Sequence, residues 1–368
     1  MEWKQLTKLV EELAPLRYAY EWDNSGEQVR MHGGCEKLLI CLEVTQKTLD
    51  EAIALGCDAI LCHHPLLFKP VKKLDAAHPV TSLVLKAAAH GINIYAAHTS
   101  CDCAPGGVNK ALADKLGIIE QKLFVKEGSE PFYKIVVFVP EDAQQAVRDA
   151  LAEAGAAAFG SYEKVFFAAK GEGGFLPKEG ANPAIGQTGR EERVAEVRLE
   201  CMCSGEKLSA AVAAARGAHP YEAPAIDIIA LEQPAEGRGI GVMGRLEKPL
   251  ARAEFLHAVK AALDAPLVRA AGGKDVISTV ACIGGSGGDA FAAAAAMGVD
   301  ALVTGEVKYN HFIDAAACGV LLAEAGHFDT EKYFVNIMAE HLQKRANELQ
   351  YKIRICCSLA GERPYECI

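Results

Sequence analysis

The 368-residue sequence has no apolar run long enough to cross a membrane; its most apolar stretch, Ala290 to Thr304, is alanine-rich and broken by Gly298 and Asp300. It also lacks any Lys or Arg run that could track a phosphate backbone, and 38 basic against 48 acidic residues leave a formal charge of −10, so nucleic acid is not expected as a partner. Met1 to Tyr20 mix charges with apolar positions at helical spacing and contain no apolar h-region, which is not the pattern of a signal peptide. Paired-cysteine spacing is missing too. The 13 cysteines are odd in number and scattered, and Cys101/Cys103 and Cys201/Cys203 alternate along expected strands without zinc-knuckle spacing. The expectation is a cytoplasmic protein with reduced, structural thiols and no membrane segment.

What is present is the material for a sizeable core: 51% hydrophobic residues against 23% charged, in a chain long enough for two or three units. From Leu38 the pattern reads strand (LLICLEVT), helix (QKTLDEAIALG), strand (CDAILCHH), helix (HPVTSLVLKAAAHG) and strand (NIYAAHTS), the alternation of a parallel α/β sheet. A second run with the same logic starts at Ser278 (STVACIGG, DAFAAAAAMG, DALVTGE, NHFIDAAACG, VLLAEAGH) and closes on a long helix from Lys332 to Leu349. Between these similar halves, Phe132 to Leu231 reads βαβ followed by βαβ, the split pattern of a ferredoxin-like α+β module inserted between them, with a Gly- and Pro-dense loop from Gly171 to Gly189.

Chemistry-bearing residues collect at strand ends. His63 and His64 close one strand at a carboxyl edge, where α/β proteins bind ligands, and Pro65 stops the strand so that a bend could turn both rings to one cluster. His98 and Asp102 follow the next strand; the alternative for Asp102 is a turn cap. In GHFDTE, His327 and Glu331 are four apart, so a helix starting there would project both from one face, although Glu331 could equally be a cap or an ion pair. Such a mixed imidazole and carboxylate set exceeds what one tetrahedral ion needs and points to two divalent ions sharing a bridging Glu331 or Asp102, with a water between them acidified to hydroxide. Zn, Fe, Mn, Ni or Co would all suit it.

The segments WDNSG, LLICLEVT, ILCHHPLLF, YAAHTSCDCAPGGVN, IGGSGGD, VTGEVKYNHFIDA and AGHFDTE resemble, in order, those of the Nif3-like (NGG1-interacting factor 3) family, whose bacterial members are labelled GTP cyclohydrolase 1 type 2 homologs. The resemblance runs over Met1 to Leu123 and Gly237 to Ile368, and the middle block is similar to the PII-like or CutA-like insert of longer members, with HPYEAPAIDI (His219 to Ile228) as its signature and a structural or subunit-contact role expected for HPYE. It implies an α/β fold of two similar halves, 1–128 and 235–368, around an inserted domain at 129–234; a dinuclear site of His63, His64, Asp102, His327 and Glu331; His98 close by without being a main ligand; and a ring-shaped homohexamer. Glu43 and Glu306 stand where the family usually has Asp, and Ser100 and Cys101 where Asn and Leu are common, which leaves the five ligands intact and changes their surroundings.

Three functions follow as expectations. The first is a metal-dependent hydrolase of a small molecule, a nucleotide such as GTP included, with His98 moving protons. The second is a non-catalytic metal or nucleotide sensor with the insert as regulatory module. The third is a dinucleotide-binding oxidoreductase, since Gly285, Gly287 and Ala290 fit G-x-G-x-x-A and Glu306 follows about 20 residues on; it leaves the first-half histidines unused.

Overall fold

The computed structural model describes residues 1–129, 131–232 and 237–367. The chain forms two compact units, Met1–Glu127 together with Arg238–Ile368, and Gly128–Gly237.

The first unit holds two sheets. In one, the strands run in the order Gly26–Val29, Asn93–Ala96, Ala59–Cys62, Lys37–Cys41, Arg354–Cys357. All neighbours are parallel except Gly26–Val29, which pairs antiparallel with Asn93–Ala96. Apart from the half-buried Lys37, the three central strands are buried along their length, which is why they read as continuous apolar runs rather than alternating ones. The other sheet runs Arg269–Ala271, Leu321–Glu324, Ala301–Thr304, Val276–Ile283, Gly237–Ala251, Ile118–Ser129, with a parallel core of the second, third and fourth strands. Both parallel cores aim their carboxyl ends at loops that carry the candidate ligands.

The halves are less separate than their sequence patterns suggest. Arg354–Cys357 adds a parallel strand beside Lys37–Cys41, and Phe334, Met338 and Leu342 of the helix Phe334–Glu348 pack in one core with Trp3, Leu6 and Val10 of the helix Trp3–Leu13. In exchange, Ile118–Ser129 joins the second sheet. Several elements are also shorter than their patterns. LLICLEVT is strand only to Cys41, NIYAAHTS only to Ala96, and DAFAAAAAMG begins as a 3-10 turn, Gly288–Ala290, before the helix Phe291–Met297, which Gly298 ends in the left-handed region (φ +68°).

The second unit has the order strand, helix, strand, strand, helix, strand, and a wholly antiparallel sheet ordered Phe166–Phe175, Glu192–Ser204, Phe132–Pro140, Ile226–Leu231. Its core is a separate cluster around Ile135, Val137, Leu151 and Leu199. Cys101, Cys103, Cys201 and Cys203 are all buried free thiols. Among the described residues no helix is long and apolar enough to cross a membrane.

Candidate metal centre

The strand Ala59–Cys62 ends where the N–H groups of His63 and His64 both donate to the Leu42 carbonyl, at 3.1 and 3.0 Å. Two successive donors on one acceptor break the ladder's alternation, so rings that a regular strand would send to opposite faces stand with centroids 5.0 Å apart. Past the strand Asn93–Ala96, the chain makes a single helical turn, Thr99–Asp102, that ends on the second predicted group. Asn109 locks this turn to the second sheet: its Nδ2 donates to the Asp102 carbonyl at 2.9 Å, and its Oδ1 accepts from Gly284 N–H at 2.7 Å. Gly326, at φ +97°, then turns the chain from the strand Leu321–Glu324 into the short helix His327–Glu331, which places His327 and Glu331 on one face.

The result is one cluster gathered from three segments. Glu331 is 3% exposed, and its two oxygens face different partners. Oε2 lies 2.8 Å from His64 Nε2 and 3.1 Å from His327 Nε2. Oε1 lies 3.8 Å from His63 Nε2, which in turn is 3.5 Å from Asp102 Oδ1. His63, His64 and Glu331 present ligand atoms within 4.8 Å of one another, close enough to hold a metal ion.

Each imidazole is oriented from behind. His63 Nδ1–H donates to the Ala97 carbonyl at 2.8 Å, which fixes the tautomer and leaves the Nε2 lone pair facing the carboxylates. Nδ1 of His64 bonds Glu43 Oε1 and Nδ1 of His327 bonds Glu306 Oε2, each at 3.2 Å. The two longer carboxylates therefore reach the rings that they would orient. Burial alone would depress His64, but bonds to Glu331 and Glu43 push it up to about 10; His327 is raised by Glu331 in the same way. Burial opposes the charge on Glu331, yet the surrounding histidines hold it well below the ordinary carboxylate range. Burial raises Asp102, only partly offset by His63.

The donor set fits a metal. His63 Nε2 and Asp102 Oδ1 are buried and make no hydrogen bond. Buried polar atoms are almost always partnered, so two such atoms facing each other across 3.5 Å mark a place built for something else. Gly285, at φ +60°, is required beside it, because a Cβ there would lie 2.1 Å from Glu331 Oε1 and 3.1 Å from His327 Nε2. Gly287 packs against Thr304 and Ile283, and Glu306 bonds His327, so the glycine turn and carboxylate singled out for a dinucleotide border the metal cluster.

His98 lies 5.4 and 5.6 Å, ring to ring, from His63 and His64. Its Nδ1 bonds Asp23 Oδ1 at 2.7 Å, and Asp23 also accepts from Ser25 Oγ and Thr99 Oγ1, both at 2.6 Å. Burial would raise Asp23, but these bonds hold it below the carboxylate range. Asp23 is a partner of the candidate site's His98 that pattern reading missed. It lies in WDNSG, 75 positions from its partner, and no local spacing connects the two. The cluster opens into a cavity of about 750 Å³ lined by His64, His98, Asp102, His327 and Glu331, with Tyr20, Trp22 and Phe68 on its wall. Trp22, 61% exposed, stacks on Tyr20 at 5.3 Å and leaves an apolar ring at the mouth of a polar site.

The sequence model of Duf34/NIF3 (NGG1p interacting factor 3) matches residues 1–364. A protein of Halalkalibacterium halodurans named GTP cyclohydrolase 1 type 2 homolog is 36% identical, over 97% of this chain and 96% of the relative. A Bacillus subtilis protein of the same name is 34% identical, over 98% and 97%. The crystal structure of a Bacillus cereus protein related to NIF3 superposes with a TM-score of 0.93 at 33% identity, covering 100% of this chain and 99% of that one.

Proposed function

Because this chain belongs to the Duf34/NIF3 family, we propose that it is a dinuclear metal-dependent hydrolase of a small molecule, with a nucleotide as the substrate class that its relatives' name suggests. The observation that carries the reading is the division of Glu331: Oε1 faces His63 and Asp102, while Oε2 faces His64 and His327. A carboxylate divided in this way would offer one oxygen to each of two ions, and Zn, Fe, Mn, Ni or Co would accept the donors. Such a pair, when bound, supplies an acidified water and a stabiliser for developing negative charge.

The chain's own residues do the rest. Ala97, Glu43 and Glu306 hold three imidazoles in their ligating orientation. Asp23 fixes His98 Nδ1–H and leaves Nε2 as the nitrogen that moves a proton to or from a bound substrate. Tyr20, Trp22 and Phe68 offer a platform on which a planar base would stack. The second unit enters this reading as a PII-like or CutA-like insert, and the whole as a cytoplasmic homohexamer.

The test is incubation of the purified protein with GTP and with simple phosphodiesters, with and without chelator. Turnover that chelator abolishes and metal restores supports the reading; turnover indifferent to metal removal contradicts it. A second reading, a non-catalytic metal or nucleotide sensor, draws on the cavity of about 290 Å³ that the second unit holds on its own, walled by Phe138, Phe175 and Tyr221. Strong thermal stabilisation by metal without turnover of any substrate favours it.

A further inference from the structure

The helix that carries His327 and Glu331 has only five residues. A single turn cannot hold its own orientation, because helix nucleation is unfavourable and so few backbone bonds do not offset it. Something outside the turn must set the direction in which its two ligands point. The His327 and Glu331 side faces the cluster. Asp329, between them in sequence, has a fully buried side chain that takes part in none of the cluster's contacts.

Asp329 meets the segment after the last strand. Arg363 Nε donates to its two oxygens at 3.1 and 2.9 Å, and Arg363 Nη2 donates to Oδ1 at 2.8 Å. Nη2 also reaches the Asp264 carbonyl at 2.6 Å, so the guanidinium ties the turn to the end of the helix Arg252–Leu263. Lys332 Nζ adds a bond to Asp329 at 3.2 Å and another to the Leu263 carbonyl at 2.6 Å. The segment that leads to Arg363 is fastened as well. Ser358 N–H donates to the Ile40 carbonyl at 2.8 Å, its Oγ donates to Glu51 Oε2 at 2.5 Å, and Leu359 N–H donates to Glu51 Oε1 at 2.9 Å. Tyr365 closes the hinge: a Cβ on Gly326 would lie 3.0 Å from its Oη.

We propose that Arg363 is a positioning residue of the metal centre: through Asp329 it sets the attitude of the turn whose opposite face supplies His327 and Glu331. The inference rests on the metal-binding reading above. Its physics is the forked geometry of guanidinium on carboxylate, which fixes an angle as well as a distance. Without the fork, a buried carboxylate keeps only the point charge of Lys332 and must turn toward water, carrying the ligands with it.

The test compares wild type, Arg363→Gln, Arg363→Lys and the double variant Asp329→Asn/Arg363→Gln, which removes the buried charge with its partner and so protects folding. Each is titrated with cobalt(II) and followed by its visible absorption, beside the melting temperature of the metal-free protein. Arg363→Gln and the double variant should bind cobalt about tenfold to a hundredfold more weakly, the range for residues that orient ligands, with an altered visible spectrum. Arg363→Lys should recover part of both. Folded variants that lower only the melting temperature, and keep wild-type cobalt affinity and spectrum, would overturn the proposal. Failure of the wild-type protein to bind cobalt is a different result, and removes the metal-binding reading itself.

Discussion

His63 and His219 are both buried imidazoles next to a segment with acidic residues, and they differ in how their nitrogens are used. Nε2–H of His219 donates to the Phe138 carbonyl at 2.9 Å, and its Nδ1 accepts from Tyr221 N–H at 3.0 Å. Both nitrogens are spent on the chain itself, so the ring fastens the HPYE segment to the strand Phe132–Pro140. His63 spends only Nδ1; its Nε2 is left among carboxylates with no hydrogen bond. Residue type does not separate a candidate ligand from a fastener here; the hydrogen bonds of the two rings do.

Substitutions can break or sharpen that contrast. The largest effect is expected for Glu331→Gln and His63→Ala. Wild-type protein at a free metal concentration of 100 times its Kd should gain about 2.7 kcal/mol of stability. Either variant should gain almost none in a metal-titrated thermal melt. Next comes His98→Asn, which under the proposed reading should lower any metal-dependent turnover by about 10²- to 10⁴-fold while metal still stabilises the fold, because there the ring is given proton transfer and no main place among the ligands. Asp23→Asn should follow it in the same direction, since it removes the charge that holds His98 Nδ1–H.

The oriented rings come third. Glu43→Ala should weaken metal binding by about tenfold to a hundredfold in a competition titration. Glu306→Ala should cost less, because that carboxylate is 63% exposed and exchanges its bond to His327 readily with water. The smallest effect on the site belongs to His219→Ala. It should leave metal binding unchanged and destabilise the second unit by about 1–3 kcal/mol, through the orphaned Phe138 carbonyl and Tyr221 N–H. Loss of metal binding in that variant would erase the contrast drawn above.

Much of the arrangement was legible in the residues. Buried parallel strands announce themselves as runs such as AILC and ALVT, and the place of the candidate ligands at their carboxyl ends follows from where such sheets bind. The spacing of His327 and Glu331 read correctly as one helical face. What stayed hidden depends on pairing over long distances. Nothing near Asp23 reveals that its carboxylate serves His98, and nothing near Arg354 reveals that its strand lies beside Lys37–Cys41. The bend at His63 and His64 was suggested by Pro65, but its cause is the Leu42 carbonyl of a neighbouring segment, which takes both N–H groups. The last long helix read as starting at Lys332; it starts at Phe334, and the separate short turn before it is visible only once Gly326, Thr330 and Arg363 are placed around it.

The central claim is that Glu331 serves two ions at once. Anomalous diffraction at the absorption edge of the bound metal tests it most directly. Two peaks about 3.5–4 Å apart are predicted, one against His63 and Asp102 and the other against His64 and His327. A single peak, or peaks away from Glu331, would contradict it.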